Sequence, residues 1–261
     1  MRIIQALLAC GITIALCDTV LAQSGDGEDF HIEVTAALCR LNTTGQVQSG
    51  SVPVDLELDL GVANGRNTFR GKVAAKPARK HRLIFEAVPY RLRGNNILNR
   101  HFQFQGRTYH IEDRLESEAD LTYLYGGYQY DFVSTKRGHA GIQGGAAYVN
   151  ARASLRSQGT GLSATASQKL ALPLAGGEFR AFLIPNRDLL NVNGEVKGMS
   201  FGRFGRFFEA GAHVGIGFRY VTFQAGYIYT DIDLKDDDLQ DLIRFKPRFS
   251  GPIFSIQFRD R

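Results

Sequence analysis

The chain has 261 residues, of which 29 are Gly, 18 Phe and 10 Tyr, with no Trp and only 7 Pro. Gly at 29 of 261, about 11% against a usual share of about 7%, points with the abundant aromatics to extended segments and tight turns rather than long helices. Collagen is excluded because Gly has no three-residue period, disorder because 44% of the residues are apolar, and a nucleic-acid interface because the net charge of +5 is scattered singly.

Residues 1–22 read as a secretory signal peptide. Met1-Arg2 gives a short basic start, Ile3 to Leu16 is a nearly unbroken apolar run, and Val20-Leu21-Ala22 ends in residues that a signal peptidase accepts. The run is short for a membrane helix of about 20 residues. Removing it takes away Cys10 and Cys17 and leaves Cys39 as the one thiol of residues 23–261, the expected barrel domain. A single cysteine allows no internal disulfide, so stability has to come from hydrogen-bonded structure.

Downstream, no stretch approaches 18 consecutive apolar residues, which excludes a helical span. Alternation with period two appears instead, at Ile32–Leu38, Phe69–Ala75 and Leu83–Pro89, through the Tyr-rich stretch 114–133, and at Ala140–Tyr148, Phe179–Leu183 and 190–197. It is clearest from Phe208 to Phe218, where Phe208, Ala210, Ala212, Val214, Ile216 and Phe218 share one face and Glu209, Gly211, His213, Gly215 and Gly217 the other. Val221 to Tyr229 repeats the pattern after only Arg219-Tyr220, and Phe254 to Phe258 closes the series.

The connections alternate in length. Short ones fall near 77–80, 134–137, 185–188 and 219–220, and longer ones near 43–66, 94–112, 156–169, 201–206 and 233–248. Turns at one end and loops at the other describe an all-β, up-and-down antiparallel transmembrane β-barrel. The reading gives about ten strands with both termini on the turn side, eight if 30–42 or 67–76 are irregular, and twelve if 51–62 pairs. Within 114–133 two readings stay open: a bulge near Tyr125-Gly126-Gly127 changes the parity, or Glu116, Glu118 and Asp120 lie beyond the membrane.

The leader, the alternating segments, Tyr130-Asp131-Phe132 before a short turn, and the closing Gly251-Pro252-Ile253-Phe254-Ser255-Ile256-Gln257-Phe258 resemble small bacterial outer-membrane β-barrel proteins over nearly all of residues 23–261. The resemblance implies export to the bacterial outer membrane and contact with its lipid and lipopolysaccharide. It also implies recognition of a terminal aromatic residue by the barrel-assembly machinery, and here Arg259-Asp260-Arg261 follow Phe258 as an overhang. Its motifs specify architecture rather than an activity.

Lipid outside a barrel inverts the soluble arrangement of faces. A lone Arg or Lys in lipid costs roughly 2–4 kcal/mol at the midplane, so the charged face is expected inside. That places Glu33, Arg70, Lys72, Glu86, Glu178, Arg180, Glu195, Lys197, Glu209 and His213 in the lumen. A ten-stranded barrel is only slightly wider than the eight-stranded kind that side chains fill, and opposite charges in that space should pair. The expectation is a lumen closed by an ion-pair network with at most a narrow water path. Gly211, Gly215 and Gly217 would make room for long partners such as Arg180 or Lys197, and His213 would partner a carboxylate.

Other motifs hold residue types that can carry chemistry. His101 and His110 lie near Glu112 and Asp113 in one expected outer loop, without compact metal-ligand spacing. His81 and His139 open strands beside basic turns, as interfacial side chains do. Asp236-Asp237-Asp238 lacks the Gly and terminal Glu of a calcium loop. Neither Gly141–Gly145 nor Gly202–Gly205 precedes a helix, so neither is a phosphate cradle. No catalytic, metal or cofactor residue is assigned. The reading is a structural or interacting outer-membrane barrel, or a narrow solute passage, with an unidentified surface partner and no nucleic acid. The alternative is a rim enzyme that modifies lipid A or cleaves proteins, using His110 and Asp113 or the Asp236–Asp238 run.

Overall fold

The alternating segments become long antiparallel strands, because each step along them changes face and each neighbour supplies the complementary backbone ladder. The computed structural model describes residues 30–49, 53–62, 64–98, 101–104, 106–184, 189–200, 202, 205–218, 220–236 and 243–260. The expected signal peptide, the turn 185–188 and Asp237-Asp238 lie outside them.

Thirteen strands are present among the described residues: β1 Ile32–Ser49, β2 Pro53–Asp55, β3 Arg66–Ala78, β4 His81–Ile97, β5 Phe102–Phe104, β6 Arg107–Tyr109, β7 Arg114–Thr135, β8 Gly138–Ser157, β9 Ser163–Phe182, β10 Leu190–Ser200, β11 Gly205–Phe218, β12 Val221–Asp236 and β13 Ile243–Arg259. Ten of them form the wall in the order β1, β3, β4, β7, β8, β9, β10, β11, β12, β13, and β13 pairs back onto β1 to close it. The closing seam runs from Glu33↔Arg259 to Ser49↔Ile243. Arg259 therefore belongs to the last strand and is no overhang. Beyond it, the Asp260 carboxylate accepts the amide N–H groups of His31 (2.9 Å) and Ile32 (2.6 Å).

On the turn side of the barrel the outward face is apolar, with Phe69 70% exposed, Phe85 60%, Ile142 62% and Phe254 60%. Such a continuous exposed belt is stable only against lipid. Toward the loop side the chemistry of both faces inverts while the parity of each strand holds. On β4 the outward series Leu83, Phe85, Ala87, Pro89 is followed by Arg91, Arg93 and Asn95, and the inward series Arg82, Ile84, Glu86 by Val88, Tyr90 and Leu92. β9 changes likewise, from outward Ala171 to Lys169 and from inward Arg180 and Glu178 to Leu174 and Leu172. The barrel thus projects beyond the belt as a soluble-type barrel with an apolar interior.

Much of what reads as loop is therefore strand. The segment 156–169 is only a turn at 158–160 between β8 and β9. Along β7 the inward parity runs unbroken from Leu115 to Asp131, so there is no bulge at 125–127; the ladder shifts instead between Asp131 and Val133. Glu116, Glu118 and Asp120 point outward beyond the belt.

Among the described residues two steps interrupt the wall on the loop side. The β3–β4 ladder stops at Gly71↔Ala87, although β4 continues to Ile97. The next pair would place Pro89 opposite Phe69, and Pro has no N–H to donate. Side chains bridge the seam instead: Thr68 donates its hydroxyl to the Pro89 carbonyl, and Arg66 donates to the Arg93 carbonyl at 3.0 Å. The second step is above the short β10–β11 hairpin. The β9–β10 ladder ends at Ala175↔Gly198, whereas the β8–β9 ladder runs on to Ser163, so residues 163–174 of β9 rise without a described strand partner on that side.

Candidate functional site: the charged lumen

The turn-side half of the lumen holds a lattice of opposite charges carried by alternate residues of facing strands. Lys197 is at its centre. Its ammonium lies 2.6 Å from Glu86, 3.1 Å from Glu195 and 3.1 Å from Glu209, and the side chain is fully buried. Arg70 spans from β3 to reach Glu86 at 2.8 Å and Glu209 at 2.6 Å. Glu178 and Glu195 face each other directly across β9 and β10. Like charges in that position repel, and Lys72 offsets the repulsion from the opposite wall, with its Nζ 2.6 Å from Glu178 and 2.9 Å from Glu195.

Glu33 carries a further ion-pair group beside the barrel seam. It accepts Arg180 in two-point fashion, at 2.9 and 3.1 Å, and the Nε of Arg259 at 2.7 Å. The two-point geometry matches a planar guanidinium to a carboxylate and is the strongest common form of ion pair. The neutral members Gln143 and Thr230 complete the network, bonding Glu195 at 3.1 Å and Glu209 at 3.3 Å.

Seven of the ten residues assigned to the lumen by sequence thus meet in one network, and two more, Glu33 and Arg180, pair with each other on the same cavity. The tenth, His213, lines the same space, but among the described residues it stands within ion-pair distance of no carboxylate. The reason is register: the residues opposite it are Asn193 and Gly226. The histidine beside a carboxylate is His139, whose Nε2 is 3.6 Å from Glu178. Gly211 and Gly215 face inward, but they make room for His213 and for Asn191 and Gln224 rather than for Arg180 or Lys197.

Sequence reasoning missed a second buried pair, Arg82 Nε to Asp131 at 2.7 Å, which Gln129 joins at 2.7 Å. Arg82 shares parity with Glu86 and could have been found by extending the β4 pattern. Asp131 was hidden by the open parity of 114–133, and Arg259 by its reading as an overhang.

The lattice encloses a cavity of about 60 Å³ between Glu33, Arg70, Lys72, Glu178, Glu195 and His213. That admits a few waters, each needing roughly 10–15 Å³ on this measure, and is far from a channel. On the loop side, stacked rings lie over it: Tyr90 on Phe249 at 4.5 Å and Tyr123 on Phe207 at 5.4 Å. The Lys197 ammonium sits 4.8 Å from the Tyr125 ring. Above these rings Leu92, Leu121, Leu155 and Leu172 fill the interior, with Leu56 and Leu60 folded in from the segment after β2.

At the loop-side rim, His101 and His110 meet edge to face at 5.3 Å. The His101 Nδ1 accepts the Ile111 amide at 3.2 Å, which puts the proton of the neutral ring on Nε2. Asp113 accepts the backbone N–H of His110 at 3.1 Å rather than its ring. Among the described residues no group of three or more His, Cys, Asp or Glu is placed to hold a metal ion.

The barrel has the fold of bacterial outer-membrane proteins. It is similar to the outer membrane protease OmpT of Escherichia coli, with a TM-score of 0.56 and 9% identity, covering 92% of this chain and 99% of that one. Lower likenesses are to the translocator domain of the autotransporter NalP of Neisseria meningitidis (TM-score 0.47, 12% identity, 99% and 96% covered) and to the attachment invasion protein Ail of Yersinia pestis (0.38, 9%, 86% and 99%). Neither a protein-family model nor a curated protein sequence matches the chain.

Proposed function

We propose that this is a non-enzymatic outer-membrane barrel, shut to ions and polar solutes, that works through its outer surface on lipopolysaccharide and a surface partner. The observation that carries closure is Lys197, held by three carboxylates from β4, β10 and β11. Moving it aside for a hydrated ion would leave those carboxylates buried and uncompensated. The aromatic layer and the apolar outer half add a second seal. Residues 1–22, as a cleaved leader, would deliver residues 23–261 to the periplasm, where the barrel-assembly machinery would insert them.

A basic girdle supports the lipopolysaccharide contact. Arg40, Arg91, Arg152, Lys169, Arg206 and Arg248 point outward just above the apolar belt on six different strands. At that height their charges suit lipid phosphates. Among the described residues of the loop side the rim-enzyme reading draws no support, since the two histidines touch each other and Asp113 is spent on a backbone amide.

Planar-bilayer recording tests closure. The wild-type protein is expected to give no steps of porin size, and Glu209→Lys, which breaks the lattice, to give a small conductance. Porin-sized steps from the wild type would overturn the proposal. So would a lipid A mass change or a cleaved peptide that appears with the protein and vanishes in His110→Ala.

A further inference from the structure

The loop-side half of the lumen has a chemistry of its own. Two contiguous apolar cavities, of about 20 and 50 Å³, share Val47, Phe104, Ala119 and Ala153. A row of small side chains makes the space: Ala119 on β7 lies directly opposite Ala153 on β8, which lies opposite Ala166 on β9. Facing this row are Val47 and Phe245, themselves paired across β1 and β13, and Phe104 forms the roof. Voids lined this way stay dry and take apolar guests in preference to water.

The wall beside the larger cavity is the step above the β10–β11 hairpin. Ala166 and Gln168 line that cavity and belong to the stretch of β9 without a described strand partner on the hairpin side. The sill of the step is level with the top of the lipid belt, since the last pair, Ala175↔Gly198, is followed outward on β9 by the apolar Pro173 and Ala171 and then by Lys169. Among the described residues an apolar cavity and a low wall at the lipid surface coincide.

We infer that this half-lumen is a binding site for the end of a saturated alkyl chain, entered sideways from the outer leaflet over the β10–β11 hairpin. The cavities are narrow, which suits a linear chain end better than a bulky ring. The chain could belong to a free hydrocarbon or fatty acid, or to a membrane lipid. The inference goes beyond closure of the charged half and does not depend on it, because bilayer conductance reads the lattice alone.

Photolabelling in lipid nanodiscs tests it. One arm uses a free hexadecyl chain bearing a terminal diazirine, the other a phospholipid with the diazirine at the end of an acyl chain. Both probes stay in the bilayer, so lumen labelling by either requires sideways entry, and the arms tell the two sources apart. Mass spectrometry should find label near Ala119, Ala153 or Ala166 in the wild type. Ala153→Phe, which fills the space, should abolish it while labelling of the belt at Phe223 stays. If that variant does not fold, as judged by heat-dependent gel mobility, Ala119→Leu serves the same purpose. Label confined to the belt in both arms, or lumen label unchanged in the filled variant, would overturn the inference.

Discussion

Lys197 and Glu86 are 111 residues apart in the chain and 2.6 Å apart in the barrel. Replacing Lys197 by Met leaves Glu86, Glu195 and Glu209 short of a cation in a buried setting. A loss of about 3–5 kcal/mol is expected for breaking a buried pair on one side. Urea unfolding in lipid measures it, and adding Glu86→Gln to the variant should recover part of the loss, because the two residues are coupled. Parity along each strand predicted that these residues point inward. It did not predict which acid meets which base, because that depends on the register of strands distant in sequence, as the neighbours Asn193 and Gly226 decide for His213. At the turn-side rim Asp260 offers a pH test. Hydrogen bonds from the amide of Ile32 first, and of His31, hold its carboxyl below the ordinary value of 3.8. A depressed acid contributes stability above its unfolded pKa and loses it as pH falls through the folded one. The stability difference between the wild type and Asp260→Ala should therefore be full at neutral pH and shrink below about pH 4.

At the scale of the strand, the inversion of faces explains both the success and the limits of pattern reading. The period of two persists along β1, from outward Val34 and Leu38 to outward Arg40 and Asn42, yet the outward residues change from apolar to polar. A search for one apolar face stops at that change, so strands that continue above the membrane look like loops. Pro89 sits at the same height and ends the β3–β4 ladder. Pro89→Thr restores an N–H where the next pair would form. Hydrogen exchange should then show the new amide at 89 protected and the ladder extended toward Phe69; an amide that exchanges at the rate of an open loop would contradict this account.

Over the whole molecule, three zones stack along the barrel axis: a charged lumen within the lipid belt, a layer of stacked aromatics, and an apolar interior with polar walls outside the membrane. The basic girdle lies at the height of the middle zone, with Arg91, Arg206 and Arg248 next in sequence to Tyr90, Phe207 and Phe249. Thermal unfolding in liposomes should rise on adding lipopolysaccharide, and a variant with Arg91, Arg152 and Lys169 all changed to Ser should lose most of that rise while behaving as the wild type in neutral lipid. An equal rise in both proteins would count against the girdle as the lipid contact. Alternation, turn spacing and lone charges on one face suffice to determine a membrane barrel of about ten strands with a charged interior, since these features are local and repeat every second residue; the count of ten is settled by the closed sheet. Only the closed tertiary structure decides where the strands end, which charges pair across the lumen, and that its outer half is apolar, because those properties arise from strands meeting across the barrel at a register and height that no single segment contains.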